Sequence, residues 1–391
     1  MKKEKSNGLI VITIILMLLI LVAGGLLIYK YIDISKILDL GKTVEVGNQE
    51  NEEKEEEALV VEKEEKQVQT FTGNDRPIAV MIDNHNKAWP QANLEKAYIV
   101  YEIVVEGGET RLMALFKGQD LEKIGPVRSS RHYFLDYALE NDAIYVHHGW
   151  SPQAESDISK LRVKNINGIA ESSKDFSRVK DKSAPHNMFT SSASILKIAE
   201  RKGYELTSSK KSVLNYVAEE FNLEDKYKVE MIENIETEDV TTISEAEPTE
   251  VKEEPKPIAK SAINVTIPHS KLQTVKYEYN EETKRYTRYA RNKLQTDYIT
   301  GEPVTTKNII ITMCDNYTLT DVENKGRQGL KNIGTFDGYY ITNGKAIQIK
   351  CTKTDRDEQT IYKDLDGNEI VVNDGNTFMN ICPTSAKLII E

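Results

Sequence analysis

Arginine, histidine and carboxylate side chains crowd into a few short motifs between residues 83 and 186. The run Ile124-Gly125-Pro126-Val127-Arg128-Ser129-Ser130-Arg131-His132 reads as the opening of a helix. Free backbone N–H groups and a helix dipole favour an anion there, and the forked donors of Arg128 and Arg131 would strengthen its hold. Phosphate, sulfate or a ligand carboxylate would suit such a site. The competing reading pairs either arginine with a structural acid such as Glu102 or Glu106. The run from Ala143 through His147, His148 and Trp150 to Pro152 reads as strand, loop and helix start, the place where α/β folds set their ligands. Adjacent His147 and His148 point to opposite faces of a strand. They cannot readily share a metal, but either could act as a general acid or base. His186, in the loop Ser183-Ala184-Pro185-His186-Asn187, could join one of them. With Asp83 or His85 this would make a metal set, but no ligand-spacing motif supports one. The sequence implies no metal and no cofactor. Ser151, before Pro152, reads as a helix cap rather than a nucleophile.

A hairpin supplies further candidates. Ala97–Val105 and Thr110–Phe116 flank Gly107-Gly108, a pair suited to a two-residue turn. That turn sets Glu106 opposite Glu109 and Val104 opposite Arg111. Side chains alternate along strands and cross-strand partners share a face. Glu102, Glu106, Glu109 and Arg111 would then line one face, with Val100, Val104, Met113 and Leu115. The reading is either a salt-bridged solvent face or a site wall in which Arg111 orders a carboxylate. Glu102 and Glu106 would lie roughly 13 Å apart at about 3.3 Å per residue, wider than paired glycosidase carboxylates. A catalytic pair would need another member, such as Asp83.

Farther along, Lys284, Arg285, Arg288, Arg291 and Lys293 alternate with Tyr286 and Tyr289. Such a strand could hold a sugar or an anionic polymer, or be an edge protected by charge. Asp364-Leu365-Asp366-Gly367-Asn368 imitates a calcium loop, but Gly and Glu are missing where an EF-hand needs them, so a turn at Asp366-Gly367 is expected. The three cysteines, Cys314, Cys351 and Cys382, read as buried thiols.

The elements that must position these groups form two segments. Residues 75–229 mix strands with helices: a buried strand at Ile78–Ile82, the hairpin, a strand at Ala143–His147, and helices at Ser130–Leu139, Pro152–Leu161, Ser192–Lys202 and Ser212–Phe221. Residues 258–391 alternate as strands, with hairpin turns expected at Asn343-Gly344 and Asp374-Gly375. The expected class is α+β, or mixed α/β: a mixed α/β domain, then a β-rich domain.

Net charge says little until it is located. The chain carries 51 Lys and Arg against 62 Asp and Glu, a formal charge of −11. Residues 50–66 hold a net −6 and residues 230–257 a net −8. The remaining chain is nearly neutral, which excludes nucleic-acid binding through bulk positive charge. The two acidic stretches cannot bury enough apolar surface to fold. Residues 31–74 read as a stalk and 230–257 as a linker.

Gly8 to Ile28 are apolar except for Thr13. As a helix they would span about 31 Å, the thickness of a bilayer core. Lys2, Lys3 and Lys5 precede the run, which places residues 1–7 in the cytoplasm and the bulk of the chain outside. The expected anchor covers residues 8–30. A cleaved signal peptide is the rival reading, although this apolar core is longer than usual for one.

The same residues carry a family resemblance. RPIAVMIDN (76–84), PQANLEKAYIVYEIVVEGGETRLMALF (90–116), IGPVRSSRHYF (124–134), HHGWSPQA (147–154) and APHNMF (184–189) resemble the YerB-like lipoprotein family, whose biochemical role is not established. The second segment resembles its C-terminal domain through YEYNEETKRYTRYAR (277–291), TGEP (300–303) and YKDLDGNEIVVNDGNTFMNICP (362–383). The resemblance implies a two-part mixed α/β fold on the outer face of a bacterial membrane, and it implies no reaction. Family members often carry a lipid on an N-terminal Cys that this chain lacks, so a transmembrane helix would take over the tether.

Two functions follow as expectations. The first is a membrane-tethered binding protein of the cell envelope, holding an anionic or saccharide ligand, or a protein partner, through Arg111, Arg128, Arg131, Glu106, His186 and Trp150. The second is a hydrolase of an envelope polymer, with Asp83 or Glu102 as acid–base and His147 or His148 as proton carrier.

Overall fold

The computed structural model describes residues 66–229, 258–320 and 323–391. The apolar run Gly8–Ile28 and the acidic stretches 31–65 and 230–257 lie outside them. Among the described residues no helix is long and apolar enough to cross a membrane.

In the first segment, strands β1 (Ile78–Asp83), β2 (Ile99–Val104) and β3 (Thr110–Phe116) are buried at every position. Their near-continuous apolar sequence is what a strand covered on both faces requires. The longer helices of the same segment are α1 (Phe134–Glu140), α2 (Pro152–Lys160) and α3 (Ser192–Arg201), and a single turn at Leu223–Lys226 follows them. Strands β4 (Ile144–His147) and β5 (Asn165–Asn167) pair in parallel beside β1. Ser151 caps α2 as its sequence suggests, accepting from the Ala154 N–H at 3.2 Å. The expected helix at Ser212–Phe221 is absent: those residues are irregular around the short strand Tyr216–Val217.

The second segment is built of strands. Those used below are β6 (Asn264–Pro268), β7 (Thr274–Asn280), β8 (Arg285–Ala290), β9 (Asn308–Met313), β10 (Gly334–Thr342), β11 (Lys345–Lys353) and β12 (Thr377–Cys382). Asn343-Gly344 makes the expected hairpin turn, with Thr342 opposite Lys345. Asp374-Gly375 does not. The strand before it pairs with Tyr216–Val217, while β12 goes to the centre of the main sheet. Gly367 takes the turn expected there, at φ 87°.

The segment boundary is not a boundary between cores. β2 pairs in parallel with β12, so one twelve-stranded sheet runs through both segments in the order β5-β4-β1-β3-β2-β12-β9-β10-β11, with smaller strands beyond β11. One face, to which the sheet contributes Tyr340 and Ile349, is covered by α1 and Leu214. The other meets α3 and a second sheet of six strands built on β6, β7 and β8. The class is therefore α+β, with few helices and many strands.

The hairpin register differs from the expected one by a single residue. Ile103 faces Arg111 and Val104 faces Thr110, because Glu106–Gly108 form a 3-10 turn inside a longer loop. Both glycines are left-handed, at φ 68° and 75°. A slip of one residue sends one strand's side chains to the other face. Arg111 therefore does not share a face with Glu102. Neither face is solvated, so the alternative of a salt-bridged surface also falls.

Candidate functional site

The candidate site forms where β1 ends, β3 begins and two loops cross them. Residues 124–130 do not open a helix. Val127 bridges Ile82, the Arg128 N–H donates to Met81 O, and the Ser130 N–H donates to Gly149 O. The backbone donors expected for an anion are thus spent on strand-like pairing, and α1 starts only at Phe134. What the segment delivers is its two arginine side chains.

Asp83, the last residue of β1, is 4% exposed. Its Oδ1 accepts the His85 backbone N–H at 3.1 Å. Its Oδ2 accepts His186 Nδ1 at 2.8 Å and lies 3.4 Å from Arg128 Nε. The rings of His85 and His186 stack at 4.4 Å. Burial lowers the pKa of His85, and the neighbouring His186 adds to this, while Glu109 and Asp83 oppose it. Asp83 therefore orients an imidazole and a guanidinium, and His186 Nε2 has no protein partner among the described residues.

Arg111 lies opposite Asp83 across β1 and β3. It is 7% exposed and donates to Ser129 O at 2.5 Å. Among the described residues no carboxylate lies within ion-pair reach of it. Burial, with repulsion from Arg131, pulls its pKa from the usual arginine range down to about 9 although Asp83 and Glu106 oppose the fall, so it stays cationic at neutral pH. Arg131 is held in a fork by Glu106, at 2.6 and 2.9 Å. Burial alone would raise the pKa of Glu106, but Arg131 and then Arg111 outweigh it and leave it below the usual value. Three guanidinium groups thus face two carboxylates, and the buried one feels both at a distance but has neither within ion-pair reach.

Four of the remaining candidates fall in different places. His148 is half-buried and close to this group: its N–H donates to Arg128 O, and Ser129 Oγ donates to its carbonyl. Trp150 is exposed, and its ring lies 5.5 Å from that of His147. His147 itself is fully buried. Its Nδ1 lies 2.8 Å from Gly149 O, its Nε2 3.4 Å from Asn165 Oδ1, and burial lowers its pKa to about 4. It braces the turn into α2 and is out of reach of an outside substrate.

Glu102 is also sealed. It pairs with Arg288 on β8, both side chains fully buried, in the layer between the two sheets. Thr110 Oγ1 at 2.7 Å and Asn84 Nδ2 at 3.1 Å also donate to it. Burial would raise its pKa, but Arg288, His269 and the Thr110 hydroxyl together hold it low. The carboxylate is bound up as an anion and unavailable for acid–base work on a ligand. Arg288 is correspondingly no part of a charged surface. Its alternation with Tyr286 and Ala290, all three buried, was the available signal: a charge on an apolar face requires a buried partner.

His85, Ser129 and the Glu109–Arg291 ion pair complete the surroundings. The sequence offers His85 only as a metal ligand, Glu109 only on the hairpin face and Arg291 only on the basic strand, and it assigns Ser129 no role. Asp83, His85 and His186 do meet, but no group of three His, Cys, Asp or Glu among the described residues could hold a metal ion.

Residues 64–205 match the family described as "Protein of unknown function (DUF3048) N-terminal domain", and residues 264–379 match its C-terminal domain. The chain belongs to that family. It is 30% identical over 316 residues to "Putative lipoprotein YerB" of Bacillus subtilis (strain 168), covering 79% of this chain and 81% of the relative. It is also similar to the crystal structure of the YerB protein from Bacillus subtilis, at 28% identity and a TM-score of 0.64. That match covers 81% of this chain and 94% of the other. The resemblance read from the motifs therefore holds across both segments. The family description assigns no reaction. Every residue of the candidate site from Asp83 to His186 lies within the N-terminal match, while Arg288 and Arg291 lie within the C-terminal one.

Proposed function

We propose that this protein is an extracytoplasmic, membrane-tethered component of the cell envelope that binds an anionic ligand through Arg111, Arg128 and Arg131. The observation that carries the reading is Arg111, a buried guanidinium without a carboxylate partner. A buried charge is costly unless paired, so such a group is best explained by an anion that arrives from outside. Arg128, 27% exposed at its side chain, gives that anion a way in. His186 Nε2 adds a donor or acceptor at the rim. The tether rests on the apolar run Gly8–Ile28, and the outward placement on Lys2, Lys3 and Lys5 together with the lipoprotein name of the relative. Residues 31–65 would set the reach; the stalk expected to run to residue 74 ends earlier, because the Gln69 and Thr70 N–H groups donate to Asp374 on the folded part.

The test is binding of the full-length protein in detergent to an anionic wall-polymer fraction. Arg128→Ala and Arg111→Met should each weaken binding about tenfold or more, and the parent should weaken as salt rises. Undiminished binding by both variants overturns the site. The hydrolase reading is favoured only by the Asp83–His186 pair, an imidazole oriented by a carboxylate. Product release from the same polymer that is lost in His186→Gln, while binding persists, would establish it.

A further inference from the structure

We propose that the cavity beside the arginine cluster is a subsite for a sugar ring of an acidic oligosaccharide. This rests on the anion-binding reading above and adds the ligand class. The cavity measures about 340 Å³ and is lined by Trp89, Pro90, Arg291, Lys293, Leu294 and Thr296, with Asn86 at its edge. That is the lower end of the volumes that small-molecule sites occupy, enough for one or two rings rather than a folded peptide.

The lining has the mixed chemistry a charged sugar needs. A sugar ring presents apolar C–H faces and a rim of hydroxyls, and an indole matches that with an apolar body and a polar tip. Here the indole is fixed. Trp89 Nε1 donates to Asn84 Oδ1 at 3.1 Å, and Gln91 donates to the same oxygen. Asn84 in turn donates to Glu102 and Thr110. The sealed network between the sheets thereby holds the platform from behind, so binding orders little that is loose.

The cations come from the opposite wall. Arg291 and Asn292 form the turn between β8 and Lys293–Leu294, at φ 53° and 58°. Such two-residue turns favour Asn-Gly, so a bulky arginine at the first position is held against its preference, as happens at functional sites. Arg291 pairs with Glu109, yet its buried Nε has no partner. Lys293 is exposed and makes no ion pair among the described residues. Both can meet a carboxylate or phosphate on the sugar. Leu294, 42% exposed, adds apolar surface at the mouth.

His85 joins this cavity to the arginine cluster. It precedes Asn86, its N–H donates to Asp83, and its ring feels both Arg291 and Glu109. A chain of acidic sugars can therefore set one ring on Trp89 and an acidic group of another at Arg128.

The experiment uses full-length protein and three probes: a galacturonic acid trimer, its carboxyl-reduced counterpart and inorganic phosphate, each titrated by calorimetry. Trp89→Ala should lose about tenfold or more in affinity for the acidic trimer and keep its affinity for phosphate. Arg291→Gly relieves the left-handed backbone while removing the guanidinium. It should weaken the acidic trimer about fivefold and leave the reduced trimer unchanged. Arg128→Ala should weaken both acidic probes. If Trp89→Ala and Arg291→Gly both bind the acidic trimer as the parent does, the cavity is not a sugar subsite, even though phosphate binding persists. If the parent binds no phosphate, or Arg128→Ala binds it undiminished, the anion reading fails instead. Because Arg291→Gly retains a turn that suits glycine, it decides the question even if Trp89→Ala fails to fold.

Discussion

Glu102 and Arg111 sit on paired strands of one hairpin and end in opposite circumstances. Glu102 faces the second sheet, where Arg288 and a ring of neutral donors neutralise it completely. Arg111 faces the other way and finds a backbone carbonyl instead of an acid. The first arrangement balances its charge internally and is closed to solvent. The second carries an excess of positive charge and is partly open. Polar groups buried for architecture are thus distinguishable from polar groups buried for a ligand by whether the protein finishes their pairing. The sealed network is not wholly finished either: His269 Nδ1, Gln273 Oε1 and Arg288 Nη1 have no protein partner, the kind of gap that ordered water fills.

The sharpest way to break this contrast is to remove one member of the sealed pair. Glu102→Ala leaves Arg288 as an uncompensated buried charge and should destabilise the protein by about 3–5 kcal/mol in denaturant unfolding. Replacing both, Glu102→Leu with Arg288→Met, should recover much of that loss, because two apolar groups of similar volume leave no orphan charge. Equal losses in the single and double variants would mean that the pair is not the unit holding the sheets together.

The next effect is read by pH. His147 lies under the open region, neutral and buried, with a pKa of about 4 against an ordinary value of 6.5. The unfolded chain therefore takes up a proton before the folded one does. Its contribution is fully present above about pH 6.5 and is lost as pH falls through about 4. At about 1.36 kcal/mol per pH unit the loss is on the order of 3 kcal/mol. His147→Gln should flatten that part of the stability profile. A profile that remains as steep would assign the acid sensitivity to other groups.

The sequence disclosed the elements better than their partners. β1, α2 and α3 were legible because burial on both faces and amphipathic spacing leave a local signature, and Ser151 announced its own cap. The register of the hairpin was not. Gly107-Gly108 permits both a two-residue turn and the longer loop that forms, and only packing on both faces decides between them. The Glu102–Arg288 pair was hidden for a related reason. Its members are far apart in the chain and meet because β2 pairs with β12 beneath the second sheet, a contact that no local pattern records. The open cluster fared better. Asp83, Arg111, Arg128, Arg131, Glu106 and His186 were all candidates, and the structure gathers them at one end of β1. Glu102 and His147 were equally plausible by residue type and are excluded by burial alone.

The smallest expected change in stability is also the most telling. Arg111→Met removes a buried cation that has no carboxylate to leave behind. The Ser129 carbonyl loses a donor, a cost of about 1 kcal/mol, while the desolvation of an unpaired charge is relieved. The two should nearly cancel, leaving the variant within about 1 kcal/mol of the parent in the absence of anion. The contrast appears when phosphate is added. An anion that binds only the folded state stabilises it by RT ln(1 + [L]/Kd), about 2.7 kcal/mol when the ligand is at about a hundred times Kd. The parent should therefore rise in melting temperature with phosphate while Arg111→Met does not. A large loss of stability without phosphate would show that Arg111 is structural, like Arg288. In that event the two regions would differ only in exposure, and the missing counterion would no longer mark a ligand site.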